Sequence, residues 1–205
     1  MTEPVIYLLR HGETVWNREG RLQGQRDSPL TLKGIGQARA MGLRLAEALE
    51  EPRRFTIVAS PLGRAWQTAT IVSETLGLDP LLIAFDERLM EAKFGAWERL
   101  TVDELEAAEP GAWARREADK WRFRVPGGES YAMVAERVTD WLGDVPAAAH
   151  WIVVCHGLLG RVLRGLYAGM AVDEIPRLEE PQDALYRLAG GQVERLEAAG
   201  HQRSA

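Results

Sequence analysis

Three apolar segments of strand length in this chain each end in polar residues and are followed by a helical pattern. They are 5–9, 55–59 and 151–155. Strands that alternate with helices in this way favour a largely parallel sheet with helices on both faces. In open sheets of this kind, ligands bind at the carboxyl edge of the strands. The alternation therefore predicts an α/β fold with its functional site where these strands end.

Apolar periodicity and helix-end signals predict the elements between the strands. The segment 32–49 follows Thr31 as N-cap, and its apolar side carries Ile35, Ala38, Leu43, Leu45, Ala46 and Leu49. Ser60 followed by Pro61 predicts the start of a helix that runs to Leu76. The other predictions are a third strand over 81–85, helices over 130–142 and 158–167, and a β-hairpin over 184–188 and 192–196.

The length of 205 residues suits a single domain over 1–205. Within it, 87–127 differs from the rest, because short helical pieces there alternate with Pro and Gly. Thr101 and Glu104 in this segment have the spacing of a capping box. We interpret 87–127 as a small helical cap inserted into the domain.

Charge and cysteine content exclude several classes of function. A net charge of −5 gives no electrostatic case for binding nucleic acid or an anionic membrane. A single cysteine excludes an intramolecular disulfide and fits a reducing compartment. Residues 1–4 lack the basic start of a signal peptide, and no apolar run has the length of a membrane span. We therefore expect a cytoplasmic protein.

The polar groups at the strand ends have the composition of an anion site. Arg10 and His11 follow the first strand, Arg64 lies just beyond the second, and His156 follows the strand 151–155. Parallel strands bring these junctions to one edge of the sheet. Arginine suits phosphate because its planar guanidinium donates two parallel hydrogen bonds, and helix N-termini add backbone N–H groups. The sequence predicts a site for a multiply charged anion.

The chain resembles the histidine phosphatase superfamily, also called the phosphoglycerate mutase-like family. The similarity extends from residue 5 to about residue 170, with the motifs in the same order as in the family. The residues that carry it are Leu-Arg-His-Gly-Glu-Thr-Val-Trp-Asn at 9–17, Arg-Leu-Gln-Gly at 21–24, Ser-Pro-Leu-Thr at 28–31, Ser-Pro-Leu-Gly-Arg-Ala-Trp-Gln-Thr at 60–68, Glu91, Phe-Gly-Ala-Trp-Glu at 94–98, Gly-Gly-Glu-Ser at 127–130 and His156-Gly157.

This resemblance implies a three-layer α/β/α sandwich and a phosphohistidine mechanism that needs no metal and no other cofactor. His11 would attack phosphorus in line, and its flanking arginines favour the neutral imidazole that attack requires. Glu91 would protonate the leaving oxygen and then activate water. The groups expected to hold the phosphoryl oxygens are Arg10, Arg64, His156 and Asn17.

Substrate selection is expected around this centre and in the cap. Candidate substrate-binding residues are Gln23, Gly24, Trp16, Arg115 and Arg116, with Trp97 as a further lining residue. The basic segment 115–124 has two interpretations. It is either a solvated helix face, since acids are interspersed in it, or a means of selecting acidic phosphomonoesters.

Three functions remain open under this resemblance. With only about forty residues between Glu87 and Gly128, the cap is short for a mutase, which favours hydrolysis of small phosphorylated metabolites. The first alternative is a phosphoglycerate mutase that depends on 2,3-bisphosphoglycerate. The second is a silent phospholigand-binding protein, although His11 and Glu91 are both present. A homodimer is a further expectation.

A rival nucleophile lies in the third junction. Cys155 and Arg161 have the Cys-x5-Arg spacing of cysteine phosphatases. We reject this reading, because Cys155 ends a strongly apolar strand and Val162 replaces the hydroxyl residue expected after the arginine.

Single positions outside the motifs also carry expectations. Arg99 stands where relatives usually have Gly, and Leu158-Leu159 make the mouth of the site more apolar. His150 and His201 are expected at the surface.

Overall fold

A computed structural model describes residues 4–198. Residues 1–3, which bear on the signal-peptide prediction, and His201 lie outside the described residues. The described chain contains one six-stranded sheet, ordered β3-β2-β4-β1-β5-β6. The strands are β1 (Val5–Arg10), β2 (Thr56–Ala59), β3 (Ala84–Phe85), β4 (His150–Cys155), β5 (Ala184–Ala189) and β6 (Gln192–Glu197). The pairs β1–β4, β2–β4 and β2–β3 are parallel, whereas β5 is antiparallel to both β1 and β6.

Seven α-helices occur in the described part of the chain. They are α1 (Val15–Arg18), α2 (Leu32–Ala48), α3 (Gly63–Thr75), α4 (Val102–Ala108), α5 (Ala112–Ala118), α6 (Tyr131–Gly143) and α7 (Gly157–Tyr167). Short 3-10 turns occupy Pro52–Arg54, Pro80–Leu82, Glu87–Leu89, Gly95–Trp97 and Ile175–Arg177. None of the helices among residues 4–198 is long and apolar enough to cross a membrane.

The alternating side chains of β1 divide the core into two layers. Ile6 and Leu8 pack on one face of the sheet, in a cluster with residues of α6 and α7. Tyr7 and Leu9 pack on the other face, with residues of α2 and α3. This is the period of two that a strand covered on both faces requires. The predicted three-layer α/β/α sandwich and its C-terminal hairpin are confirmed.

The predicted inner face of α2 is partly wrong. Ala38, Leu45 and Leu49 are buried, but Ile35 is 43% exposed, Leu43 is 47% exposed, and Ala46 is also exposed. Gly34, Met41 and Gly42 are buried instead. A Cβ on Gly42 would lie 2.7 Å from the Cβ of Thr75, so glycine allows α2 to lie close to α3. Glycine adds no apolar signal, and the sequence pattern therefore missed this face.

The start of α3 and the third strand also differ from prediction. The helix begins at Gly63 rather than Pro61, and Ser60 is not its N-cap. The carboxylate of Asp27 accepts hydrogen bonds from the backbone N–H groups of Gly63 (2.7 Å) and Arg64 (3.4 Å) instead. The third strand is short because Pro80–Leu82 forms a 3-10 turn, in which Asp79 accepts the N–H of Leu81.

The segment 87–127 forms a small buried cluster of its own, made by Trp97, Leu105, Ala112 and Val125. The predicted capping box of Thr101 and Glu104 begins α4. The cap contacts the loop after α1 through a bridge between Arg21 and Thr101. These contacts place α5 over the carboxyl edge of the sheet, where its residues line the cavity described next.

Candidate active site

A cavity of about 330 Å³ lies at the carboxyl edge of β1. Its inner end includes Arg10, His11 and Arg64, so the first two predicted junctions do meet. The third junction joins them, because the ring centroids of His11 and His156 are 5.2 Å apart.

His11 has a fixed orientation. Its Nδ1 lies 2.8 Å from the carbonyl oxygen of Gly12. A carbonyl can only accept, so Nδ1 carries the proton and Nε2 keeps its lone pair. Glycine is required next to it, because a Cβ on Gly12 would lie 2.2 Å from the carbonyl oxygen of Gly34. Burial, followed by the charges of Arg64 and Arg10, holds the pKa of His11 well below its usual value. The imidazole is therefore neutral at physiological pH.

Arg64 is buried and held by two backbone carbonyls and two side chains. Its Nε donates to Nε2 of His11 at 3.2 Å. Its Nη1 donates to the carbonyl of Arg26 (2.7 Å) and to Asp27 (2.6 Å), and its Nη2 donates to the carbonyl of Gly24 (2.7 Å). Four of the five guanidinium N–H groups thus have protein acceptors. A bond from His11 Nε2 to another atom would release the Nε–H of Arg64 for a new acceptor.

Arg10 and His156 each present a buried nitrogen without a hydrogen-bond partner in the described part of the chain, Nε and Nδ1 respectively. Arg10 also donates through Nη1 to the carbonyl of Glu180. His156 is tied through Nε2 to the hydroxyl of Ser60 at 2.8 Å. Burial, with the charges of Arg64 and His11 next in importance, lowers the pKa of His156 well below its usual value. Buried polar atoms are usually paired, so these two nitrogens indicate a ligand position.

Asn17 also lines the cavity, and its amide orientation is set by two donors. Its Oδ1 accepts from the N–H of Thr14 (3.2 Å) and from Nε2 of Gln182 (3.0 Å). The NH₂ group of Asn17 is therefore the part left for an anion. Gln182 additionally donates to the carbonyl of His11 at 3.2 Å. Sequence analysis missed Gln182, which lies in a segment without any motif.

Glu91 lies in the cavity lining at the N-terminus of α7. Its carboxylate accepts the N–H groups of Leu158 (3.2 Å), Leu159 (3.1 Å) and its neighbour Ala92 (2.9 Å). A helix N-terminus favours negative charge, which accounts for a carboxylate in this position. Of the two leucines expected at the mouth, Leu158 lines the cavity, whereas Leu159 is fully buried in the core.

The rival cysteine site is not formed. Cys155 is completely buried, and burial raises the pKa of its thiol to about 12. It does not line the 330 Å³ cavity. Arg161 donates to the hydroxyl of Tyr131 (3.2 Å) and pairs with Glu180 (3.0 Å). A thiol in this state is not a nucleophile.

The remaining predicted residues separate into two groups. Gln23, Gly24 and Arg116 line the cavity. Trp16, Arg115 and Trp97 do not line it.

Each of the excluded side chains has another contact. The ring of Trp16 lies 5.8 Å from the guanidinium of Arg99, and Arg115 pairs with Glu109. Trp97 is 2% exposed and belongs to the core of the cap. His150, expected at the surface, is half-buried with its ring against Phe55.

Several residues around the site escaped sequence analysis: Asp27, Gln182, Tyr131, Glu180, and Ser60 as a partner of His156. Ser60 belongs to the motif 60–68, whose pattern predicts a helix cap, but its hydroxyl contacts His156 instead. Among residues 4–198, no three His, Cys, Asp or Glu side chains come together as a set that could hold a metal ion. The expectation that no cofactor is needed stays a prediction.

Comparisons with known proteins agree on one family. The family model described as histidine phosphatase superfamily (branch 1) matches residues 6–195. A Salmonella paratyphi C protein named probable phosphoglycerate mutase GpmB is 41% identical over 156 residues, which is 75% of this chain and 69% of that protein. A mycobacterial glucosyl-3-phosphoglycerate phosphatase has a structure with a TM-score of 0.77 and 28% identity, covering 96% of this chain and 99% of its own. An Escherichia coli structure, with a TM-score of 0.81, 21% identity and 97% of both chains covered, shows the fold alone.

Proposed function

Because the chain belongs to the histidine phosphatase superfamily (branch 1), we propose that it hydrolyses phosphomonoesters through a phosphohistidine on Nε2 of His11. One observation carries this proposal. The proton of the buried imidazole is held on Nδ1 by the carbonyl of Gly12, at 2.8 Å, so the lone pair is on Nε2. A neutral imidazole beside two guanidinium groups is suited to attack a phosphoryl group.

The reaction has two steps. In the first, Nε2 of His11 forms a bond to phosphorus, the bond to the ester oxygen breaks, and Glu91, which enters this step as the carboxylic acid, gives that oxygen its proton. In the second, Glu91 takes a proton from water, the water oxygen bonds to phosphorus, and the P–N bond breaks. The products are an alcohol and inorganic phosphate, and the enzyme returns to its starting state.

The charge of the transferred group is held by groups that are already in place. Arg10 and His156 contribute the buried nitrogens that lack a protein partner. Arg64 contributes its Nε–H, which loses its acceptor once His11 Nε2 is phosphorylated. Donors fixed before the reaction need no reorganisation, and each such donor is typically worth a factor of about 10²–10³ in rate.

A panel of phosphomonoesters, with both products measured, tests this proposal. We expect release of inorganic phosphate in equal amounts with the alcohol. A quench in alkaline denaturant during turnover, which preserves the P–N bond, should trap an acid-labile phosphoryl group on the protein, and peptide mapping at alkaline pH should place it on His11. If no phosphate is released and no phosphoprotein forms, the chain is a phospholigand-binding protein and hydrolysis is wrong.

Mutase activity is the second candidate, and it rests on the relative that is named a probable phosphoglycerate mutase. It begins with the same phosphohistidine but returns the phosphoryl group to a product. We therefore include 3-phosphoglycerate with a 2,3-bisphosphoglycerate primer in the panel. Movement of phosphate to the 2-position without release of inorganic phosphate would replace the phosphatase with the mutase. A cytoplasmic location and a homodimer stay predictions.

A further inference from the structure

We propose that the substrate is the phosphomonoester of an uncharged alcohol, and that ion pairs in the outer cavity discriminate against a second anionic group. This inference rests on the proposed hydrolysis and names the substrate class of the same site. It begins from the outer half of the cavity, which is formed by α5, the segment after it, and α7.

The cations of the outer cavity already have carboxylate partners. Glu117 bridges two of them, with Oε1 at 3.0 Å from Nη1 of Arg116 and Oε2 at 2.8 Å from Nζ of Lys120. At α7, Glu180 pairs with Nη2 of Arg161 at 3.0 Å, while the buried Nε of Arg161 has no hydrogen-bond partner in the described part of the chain and is open to an uncharged acceptor. All five side chains line the same cavity. Arg21, a further cation of the lining, pairs with Glu104 at 2.6 Å, so each of these cations already has a carboxylate partner.

Arg116 is also fixed by its surroundings. Only 9% of its side chain is exposed. Its guanidinium carbon lies 4.9 Å from the ring centroid of Trp113, 5.4 Å from that of Phe94 and 5.9 Å from that of Tyr131. Cation–π contacts stabilise the guanidinium in this position, so moving Arg116 toward a substrate anion would lose their free energy.

A substrate carboxylate would have to share these cations with Glu117 or displace it. Sharing places two like charges within contact distance, and displacement exposes a second carboxylate in the same cavity. Both outcomes cost free energy through like-charge repulsion. Of the two interpretations of the basic segment 115–124, these contacts disfavour selection of acidic phosphomonoesters, since Arg116 is already paired and Arg115 pairs with Glu109 outside the cavity lining.

An uncharged polar alcohol fits the same surroundings. A hydroxyl group both donates and accepts, so it can bind the oxygens of Glu117 or Glu180 and the N–H groups of Lys120 or Arg161 without disturbing the pairs. The rings of Phe94, Trp113 and Tyr131 offer apolar surface to its carbon skeleton. The volume of about 330 Å³ is at the small end for metabolite sites.

A matched pair of substrates tests this directly. sn-Glycerol 1-phosphate and 3-phospho-D-glycerate have the same chain length and the same configuration at C2, but a hydroxymethyl group in the first replaces a carboxylate in the second. For the full chain we expect kcat/KM to be at least about tenfold higher for sn-glycerol 1-phosphate. Equal kcat/KM values, or a preference for 3-phosphoglycerate, would overturn the inference while leaving hydrolysis intact.

Two variants test the cause of the preference. Glu117→Gln removes the competing charge while keeping the size of the side chain, and we expect the ratio of the two kcat/KM values to move about tenfold toward 3-phosphoglycerate. Glu180→Gln, which breaks the pair with Arg161, should move the ratio in the same direction, so the test does not depend on the folding of a single variant. If both variants fold and neither changes the ratio, the inference is wrong.

The cap itself supplies the control. Glu109→Gln breaks the ion pair between Glu109 and Arg115. Both of these side chains are 52% exposed and lie outside the cavity lining. It should leave the substrate ratio unchanged, which separates an effect of the cavity from a general effect on the cap. p-Nitrophenyl phosphate is assayed in parallel. If neither it nor the matched pair is hydrolysed, the proposed function fails and the substrate inference with it.

Discussion

The inner and outer ends of the cavity hold their charged groups by different means. At the inner end, Arg64 is 1% exposed and two backbone carbonyls, of Gly24 and Arg26, accept from it. At the outer end, Lys120 and Glu117 are 27% and 38% exposed and hold each other. Arg64 also pairs with the partly exposed Asp27, but its two backbone acceptors cannot be changed by substitution, whereas the outer ion pairs depend on both side chains. The charged groups of the inner end are therefore suited to one fixed reaction step, whereas substitutions at the outer end can change which substrate is accepted.

Removal of the nucleophile is the strongest test of the fixed inner end. We expect His11→Ala to lower kcat/KM by at least about 10⁴-fold, since among residues 4–198 no other neutral nucleophile lines the cavity at that end. Cys155→Ser is the control, because Cys155 is buried outside the cavity with a pKa of about 12. It should keep most of the activity. The reverse result would show that the inner end runs on cysteine chemistry.

The two buried histidines should make stability fall in mild acid. The folded pKa values of His11 and His156 lie well below the usual value of 6.5. Above pH 6.5 both histidines are neutral whether the chain is folded or unfolded, so they add no pH dependence. Below pH 6.5 the unfolded chain binds protons that the folded chain does not. The free energy of unfolding then falls by up to about 1.4 kcal/mol per pH unit for each histidine.

Urea unfolding of the wild type and of His156→Gln between pH 5 and pH 8 measures this contribution. The difference in slope between the two proteins isolates His156, since all other titrating groups are shared. We expect the slope of the variant to be smaller below pH 6.5 and equal above it. His11→Gln should behave in the same way. Parallel curves at all pH values would mean that these imidazoles are not held neutral.

Gln182 should act as a positioning residue of the inner end. Its Nε2 donates to Oδ1 of Asn17 and to the carbonyl of His11. Without this donor, the amide of Asn17 loses one of the two contacts that direct its NH₂ group. For Gln182→Leu we expect kcat/KM to fall about tenfold and the inhibition constant of inorganic phosphate to rise by a similar factor, the usual size for one hydrogen bond to a charged ligand.

The inhibition constant separates positioning from a general loss of structure. Gln37→Leu is the matched control, because Gln37 likewise lies outside the cavity lining and makes one hydrogen bond to the main chain, accepting the N–H of Glu13 at 2.8 Å, but this bond does not involve Asn17 or His11. It should lower stability without weakening phosphate inhibition. Gln182→Glu should be worse than Gln182→Leu, since a carboxylate in place of the donor repels Oδ1 of Asn17. Equal inhibition constants in all four proteins would remove Gln182 from the site.

These cases show where sequence reasoning succeeded. The strand ends could be predicted because apolar strands and the groups after them are adjacent in the chain, and parallel pairing then brings Arg10, Arg64 and His156 together. Gln182 and Glu180 could not be predicted in this way. Both precede β5, and they come near the site because that strand pairs with β1. Glu180 then lines the cavity, and Gln182 contacts Asn17 and His11 from outside its lining. Contacts made by loops of distant strands leave no local pattern.

The outer end was predicted less well for a different reason. Neighbouring arginines in α5 point in different directions, so Arg116 enters the cavity while Arg115 pairs with Glu109. Composition also hides ion pairing: the basic segment 115–124 contains Glu117, which neutralises it where it faces the cavity. In both cases, the direction of a side chain decides its role, and this is set by packing rather than by residue type.

Arg99 gives the smallest expected effect and lies where the cap hydrogen-bonds to the loop after α1. It is the one non-glycine residue among 4–198 with a left-handed backbone, at φ 78°. Its own N–H donates to the carbonyl of Leu22, and its carbonyl accepts from Arg21, so the loop cannot relax. A left-handed conformation costs an L-residue roughly 1–2 kcal/mol, and glycine does not pay this cost. Glycine instead loses about 0.5–1 kcal/mol of stability, because it has more conformational freedom in the unfolded chain.

We therefore expect Arg99→Gly to raise the free energy of unfolding by up to about 1 kcal/mol, measured by urea unfolding at pH 7.5. Arg99→Ala is the control, because it also removes the contact with the ring of Trp16 but keeps the left-handed strain. It should be less stable than both the wild type and the glycine variant. Neither variant should change the ratio of kcat/KM for the neutral and acidic substrates, since Arg99 does not line the cavity. If the alanine variant were as stable as the glycine variant, backbone strain at residue 99 would not be the cause of the higher stability of Arg99→Gly.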